Sequence, residues 1–402
     1  MAHTLGGFIA RELGVKGDLR ILELLVGPQH PASGHMRLLV YLDGDIIVDV
    51  DVDMGWVHRT VEKLSEVKGW IRTIPLVERM NIVDACNTIL GYVEAVEKLL
   101  GVEPPDRVKY LRTILCELNR IASHLYGMGI AGIFLNHSTM FMWAMGDREV
   151  WLKLIEAMTG TRLTHSYVFP GGVKRDLPQG FRDMFEKAAK YQLRRLEEYR
   201  RAFLNNPVIR DRYENVGVLP KQLASKLGIV GPNLRASGVA YDARMLGYEA
   251  YANLDFQPVV LRDGDALARM WARVEEIKTS IELVRQALRE LPEGRIIADK
   301  FYNMIPPAMR KQFVDRGIAK FPGLFANLRV PPGEAVTRVE AGRGEIVYHV
   351  VSEGGTGPLR MRVVTPSFRN AILLRELAIG ERLMDLPAIY GSLDYFPPEA
   401  DK

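Results

Sequence analysis

Cysteine is nearly absent: Cys86 and Cys116 are the two thiols among 402 residues. Neither has a partner at C-x-x-C spacing, which excludes a disulfide framework and gives no support to a zinc or Fe–S site built by this chain alone. Both fall in apolar, helix-like stretches and read as buried thiols of a reducing compartment, with a single bridge between them as the alternative. Strong charge is also missing. The formal net charge is +4, and basic residues alternate with acidic ones, as in Arg194-Arg195-Leu196-Glu197-Glu198-Tyr199-Arg200-Arg201, so no nucleic-acid surface is indicated. Met1 to Leu25 contains no signal-peptide apolar core, being broken by Arg11, Glu12, Lys16, Asp18 and Arg20. The uncharged stretch Gly127 to Gly146 is long enough to span a bilayer, but its four glycines and central Asn136-His137-Ser138-Thr139 read as protein-buried. No Gly/Ser linker or low-complexity tract divides the chain.

What is present begins with Gly27-Pro28-Gln29-His30-Pro31, followed by Ala32-Ser33-Gly34-His35-Met36-Arg37. These turn residues separate two short apolar runs, Ile21 to Val26 and Met36 to Leu42, so a β-hairpin with two imidazoles at its tip is expected. A polar turn with incidental histidines is the plainer alternative. Asp45 to Asp53 alternates and reads as a strand. Pro75 to Leu100 carries a helical stripe ended by Gly101, with Arg79 in its first turn. Further helices are expected from Asp106 to about Met128, Ser138 to Met158, Phe181 to Leu204 and Asp265 to Leu291. Turns at Glu340 to Glu345 and Glu353 to Gly357 delimit a β-meander, and Pro366 to Ile379 returns to helix. The fold class is therefore α+β: a helical-bundle core with small antiparallel sheets contributed by the N- and C-terminal regions. Residues 1–20 form an extension, and 21–402 one domain made of a β region (21–60), a helical core (70–300) and a β region with a tail (335–402).

Glu117, Arg120 and His124 share one face of the second helix at i, i+3 and i+7. Around them are Leu111, Ile114, Leu115, Leu118, Ile121, Ala122 and Leu125, so the helix is apolar over most of its circumference and should be buried, with its charges paired. A structural salt bridge with a core histidine is one reading, and a polar lining beside a redox centre or proton path is the other. His58 and His137 stand in polar company without metal-ligand spacing.

Taken together, several segments resemble the D (49-kDa) subunit family of respiratory complex I. They are Gly27 to Pro31, Val57-His58-Arg59-Thr60-Val61-Glu62-Lys63, Val96 to Gly101, Glu117 to Leu125, Gly171-Gly172-Val173-Lys174-Arg175-Asp176-Leu177-Pro178, Leu234 to Val239 and Val351 to Gly355. The resemblance runs in unbroken order from about Leu22 to the last residue. The same superfamily includes large subunits of archaeal membrane-bound oxidoreductases and of nickel–iron hydrogenases. Hydrogenases hold their metal with two C-x-x-C pairs, whose positions here are Asn81 and Asp84, and Phe396 and Glu399. Without the four thiolates, hydrogenase chemistry is rejected.

The resemblance implies a subunit that shapes, with a neighbouring Fe–S subunit, a cavity for reducing a terminal acceptor. In complex I that acceptor is a quinone, held by a histidine on the hairpin tip, a tyrosine and an aspartate. The matching positions here are Gly34, Ile82 and Phe134, with His35 one residue from the first as the proposed catalytic proton donor. His30, Asp84, Asn136 and His137 are further candidates for the cavity. Arg79, His124 and Arg120 are expected near the partner's 4Fe–4S cluster, where positive or titratable groups raise its potential. The chain itself is expected to bind no cofactor and no metal. Its expected partners are a B-type Fe–S subunit, a C-type subunit and membrane-arm subunits including the H-type, on the cytoplasmic side of the membrane. A sulfane (polysulfide) reductase subunit of the archaeal type is the alternative, and a non-catalytic scaffold for the Fe–S subunit is a third reading.

Overall fold

The computed structural model describes residues 21–30, 35–310 and 327–402. The N-terminal sheet is an antiparallel meander of β1 (Ile21–Val26), β2 (Arg37–Asp43) and β3 (Ile46–Asp53). Ile21 pairs with Asp43 and Val26 with Leu38, so the hairpin expected from the two apolar runs is present. Leu38, Val40 and Leu42 alternate inward and are buried, as the period of two requires. Of the tip, Gly34 and its neighbours 31–33 lie outside the described residues.

The helices follow. They are α1 (Val61–Lys68), α2 (Trp70–Glu78), α3 (Ala85–Leu100), α4 (Asp106–Phe134), α5 (Ser138–Thr159) and α6 (Phe181–Tyr199), the last ending in a π-helical turn at Arg200–Leu204. A two-stranded ribbon, β4 (Val168–Phe169) and β5 (Gly172–Val173), precedes α6. The helix α7 (Ala266–Glu290) starts at Asp265, whose carboxylate accepts the Ala268 amide at 2.7 Å as an N-cap. The helix α4 is enclosed by α5, α7 and α3. Its side chains from Tyr110 to Leu125 are all buried, as the near-continuous apolar circumference demands.

The second meander, β6 (Gly333–Ala341), β7 (Gly344–Ser352) and β8 (Arg360–Val364), packs on α3. The contact is close at Gly91, where a Cβ would stand 2.8 Å from the Tyr348 ring. Tyr348 Oη donates to Thr88 O at 2.8 Å, and Thr337 Oγ1 to Gly91 O at 2.7 Å. The chain closes with α8 (Pro366–Ala378), α9 (Leu386–Leu393) and α10 (Pro397–Asp401). The α+β reading with its sheets near both ends is correct. No described helix is long and apolar enough to cross a membrane. Gly127 to Gly146 instead forms the end of α4, a tight turn and the start of α5.

One expected element is corrected. Pro75 to Leu100 is two helices, not one, because the chain leaves helical geometry between Arg79 and Asp84. Periodicity could not show this, since the break is held by tertiary bonds: Asp84 Oδ2 accepts the Gly342 amide at 2.5 Å. Arg79 therefore caps the C-terminal end of α2 rather than opening a helix. There its guanidinium donates to Pro75 O at 3.0 Å and complements the negative end of the helix dipole.

Candidate functional site

The polar face of α4 is the hub of a buried ion network. Glu117 accepts from Arg120 at 3.2 Å, Arg244 at 3.1 Å, Ser280 Oγ at 2.6 Å and Tyr251 Oη at 2.5 Å. Burial alone would raise its pKa, but the guanidinium groups of Arg120 and Arg244 and the two hydroxyls hold it below the usual carboxylate range. Arg120 also donates to Glu340 O at 2.7 Å and Ala341 O at 2.9 Å. His124 Nε2 lies 2.9 Å from Glu276 Oε2, whose other oxygen takes Arg235 at 2.7 Å. Burial depresses the His124 pKa against the pull of Glu276, so the ring is neutral at neutral pH. Both side chains are fully enclosed. A partner's cluster would sense them through the intervening protein and not by contact.

A second polar core adjoins the first at the β6–β7 turn. Three segments meet there: the loop between α2 and α3, the turn at Gly342-Arg343, and the chain around α9 and α10. Arg343 binds Asp394 Oδ1 at 2.9 Å and Ser123 Oγ at 3.1 Å. Asp394 lies against α4, where a Cβ on Gly127 would come within 2.6 Å of its carboxylate. Arg273 Nε is 3.5 Å from the other Asp394 oxygen. Asp84 accepts from Asn87 Nδ2 at 2.6 Å as well as from Gly342. Glu399 is bonded to Ser367 Oγ and lies against Asn81. Asn81, Asp84 and Glu399 thus converge here as an amide and two carboxyls, while Phe396 sits under Arg343 at 5.4 Å. Burial pushes the Glu399 carboxyl up to about 7, against Arg343 and Ser367, with Asp84 adding to the rise.

The remaining candidates are spread around this core. His35 is exposed and holds a left-handed backbone, φ 73°. His30 is exposed as well. Ile82, one residue beyond buried Asn81, is 39% exposed and offers no hydrogen-bonding group. Phe134 packs edge-on against Tyr390 at 4.9 Å, and Tyr390 Oη is bonded to Tyr395 Oη. Asn136 takes a left-handed backbone, φ 58°, between α4 and α5. His137 is the N-cap of α5, its Nδ1 accepting the Met140 amide at 3.1 Å; that bond satisfies a helix end and occupies one ring nitrogen. Arg79 is exposed.

Sequence reasoning missed His165. The Ser166 amide and hydroxyl bind Glu78 at 2.7 and 2.8 Å, which brings His165 Nδ1 within 3.8 Å of Glu78 Oε1. Burial, with Lys174 assisting, pushes this histidine down to about 4. Its only sequence signal was its place shortly before Gly171-Gly172. The thiols of Cys86 and Cys116 are both buried, with Sγ atoms 3.2 Å apart and no disulfide between them.

Comparison with known proteins adds four likenesses. The family described as the respiratory-chain NADH dehydrogenase 49 Kd subunit matches residues 135–402. The second D-type subunit of the NADH-quinone oxidoreductase of Thermodesulfovibrio yellowstonii is 36% identical over 94% of this chain and 96% of its own. The D-type subunit of the F(420)H(2) dehydrogenase of Methanosarcina mazei is 37% identical over 94% and 96%. Among solved structures, a chain of the membrane-bound sulfane sulfur reductase, an archaeal respiratory membrane complex, superposes with a TM-score of 0.86 at 34% identity, covering 95% of this chain and 98% of that one.

Proposed function

Because this chain belongs to the 49-kDa (D-type) subunit family of the respiratory-chain NADH dehydrogenase, we propose that it shapes the acceptor-reducing cavity of a membrane-bound, ion-translocating oxidoreductase. As a family member it is an oxidoreductase subunit of a hetero-oligomeric respiratory complex. Electrons arrive from the 4Fe–4S cluster of a B-type subunit, and quinone takes them up together with two protons. A C-type subunit and a membrane arm with an H-type subunit complete the assembly, and this chain sits peripherally on the cytoplasmic side. The observation that carries the reading is the match over 94% of the chain to a quinone-reducing relative's subunit, with the loop 79–84 and the C-terminal segment meeting on α4.

Roles follow from placement. His35, exposed on the hairpin tip, reaches the acceptor as a proton donor. Arg79, exposed at the end of α2, presents a fixed positive charge to the partner's cluster and favours its reduced form. His124 and Arg120 act from behind, through the field of the enclosed network.

A second reading has a specific observation behind it. Ile82 and Phe134 are apolar where the family's quinone headgroup finds its tyrosine and aspartate, and the sulfane sulfur reductase superposes over nearly the whole chain. A small polysulfide acceptor needs neither donor. Turnover of the purified complex with reduced ferredoxin or NADH separates the two when a menaquinone analogue and polysulfide are offered in turn. Quinone reduction that collapses in His35→Ala supports the first. Polysulfide reduction without quinone activity replaces it with the second. Unchanged turnover in His35→Ala, Arg79→Ala and His124→Ala complexes that still assemble would leave only the scaffold role.

A further inference from the structure

We propose that Glu399 is a neutral, proton-holding acid that delivers one of the protons taken up by the reduced acceptor, with Asn81 lining its path to the surface at Ile82. The proposal rests on the cavity function above and adds a donor distinct from His35.

The way the second polar core pairs its groups makes the case. Around Glu399 stand Asn81 and Asp84 from the loop before α3, Arg343 from the β6–β7 turn and Ser367 from α8; beyond them Ser123 and Tyr126 of α4 and Asp394 from the end of α9 meet Arg343, and Arg273 of α7 meets Asp394. The charged groups include Asp84, Asp394 and Glu399 with the guanidiniums of Arg343 and Arg273, and Arg273 is shared with Glu276 and neighbours Arg269. Asp394 faces both guanidiniums, at 2.9 and 3.5 Å. Asp84 accepts two N–H donors, from Asn87 and Gly342. Glu399 takes the Ser367 hydroxyl, which already accepts the Phe396 amide at 3.0 Å, and has Asn81 beside it, while Arg343 acts on it from beyond ion-pair distance. An unpaired carboxylate in a fully buried site carries a large desolvation cost. Glu399 therefore keeps its proton where no guanidinium is paired with it, and the rise of its carboxyl to about 7 agrees.

The path is equally local. Glu399 Oε1 makes no hydrogen bond, and neither amide atom of the adjacent, buried Asn81 makes one of ordinary geometry. Such orphaned polar atoms are the usual partners of internal water. The next residue, Ile82, is at the surface. During reduction the acceptor gains two electrons from the partner's cluster and two protons. The Glu399 O–H bond breaks, its proton leaves past Asn81 to the acceptor, and the carboxylate left behind faces Arg343 until solvent reprotonates it.

The test uses the whole complex with Glu399→Gln and Glu399→Asp. Gln copies the neutral acid but releases no proton. Assembly is therefore retained, the infrared band of a protonated carboxyl present at neutral pH in the parent is lost, and acceptor reduction falls on the order of 10²-fold. Asp restores the band and part of the rate, with a shifted pH profile. A parent lacking that band, a Gln complex with parental turnover, or a Gln complex that fails to assemble each overturns the proposal. If neither quinone nor polysulfide is reduced by the parent, the cavity function fails while the infrared band still decides whether Glu399 holds a proton.

Discussion

Replacing Glu117 with Gln tests whether the network on α4 is held by charge or by shape. The side chains are nearly isosteric, so packing is unchanged and the lost quantity is one buried negative charge. Arg244 keeps a bidentate partner in Asp242, at 2.9 and 2.7 Å. Arg120 does not: apart from Glu117 its hydrogen-bond acceptors are the carbonyls of Glu340 and Ala341. The amide also turns an N–H toward donors, because the guanidiniums, Ser280 and Tyr251 already give protons to both Glu117 oxygens. Removing one member of a buried pair costs about 3–5 kcal/mol, a large part of the roughly 5–15 kcal/mol that holds a typical fold. Thermal denaturation of the purified complex, followed with the fraction of assembled subunit, reads the loss. Adding Arg120→Met removes the stranded cation and recovers part of it, a coupling that neighbouring sites show and distant ones do not. A single Glu117→Gln complex within about 1 kcal/mol of the parent would refute the claim that Arg120 depends on this carboxylate.

Three further outcomes are expected. Gly91→Ala forces a methyl to 2.8 Å from the Tyr348 ring and costs about 1–3 kcal/mol in denaturation, and Tyr348→Leu in the same chain relieves it; an unperturbed Gly91→Ala would mean that β6–β8 yields freely on α3. His165, held near 4 against an ordinary value of about 6.5, is neutral in the fold, so the unfolded chain binds its proton first. That stability is complete above about 6.5, falls as pH drops toward 4 by about 3 kcal/mol, and the acid limb flattens in His165→Gln; an identical limb in the variant contradicts the assignment. Cys86 and Cys116 are buried and should resist a thiol reagent in the native complex and both react after unfolding. Labelling before unfolding would place a thiol at the surface.

The sequence by itself determined the fold class, the family resemblance and the order of the longer elements, apart from the break inside Pro75 to Leu100. Short alternating runs between turn residues can only pair as hairpins, and the apolar circumference of α4 can only be satisfied by burial. These are local periodicities, and local periodicity survives in one dimension. It also showed that Glu117, Arg120 and His124 share a face, because helical spacing fixes that. Which partners they take came from the tertiary structure: Arg244, Glu276, Ser280 and Glu340 stand far along the chain, and nothing in their own neighbourhoods marks them. The same holds for the break at Arg79–Asp84, imposed by an amide of the β6–β7 turn, and for His165, brought against Glu78 through Ser166. Only the fold could decide that Asn81, Asp84 and Glu399 form one core. Which carboxyl each guanidinium there faces depends on how the segments meet in one enclosed space, and that is a property of three dimensions.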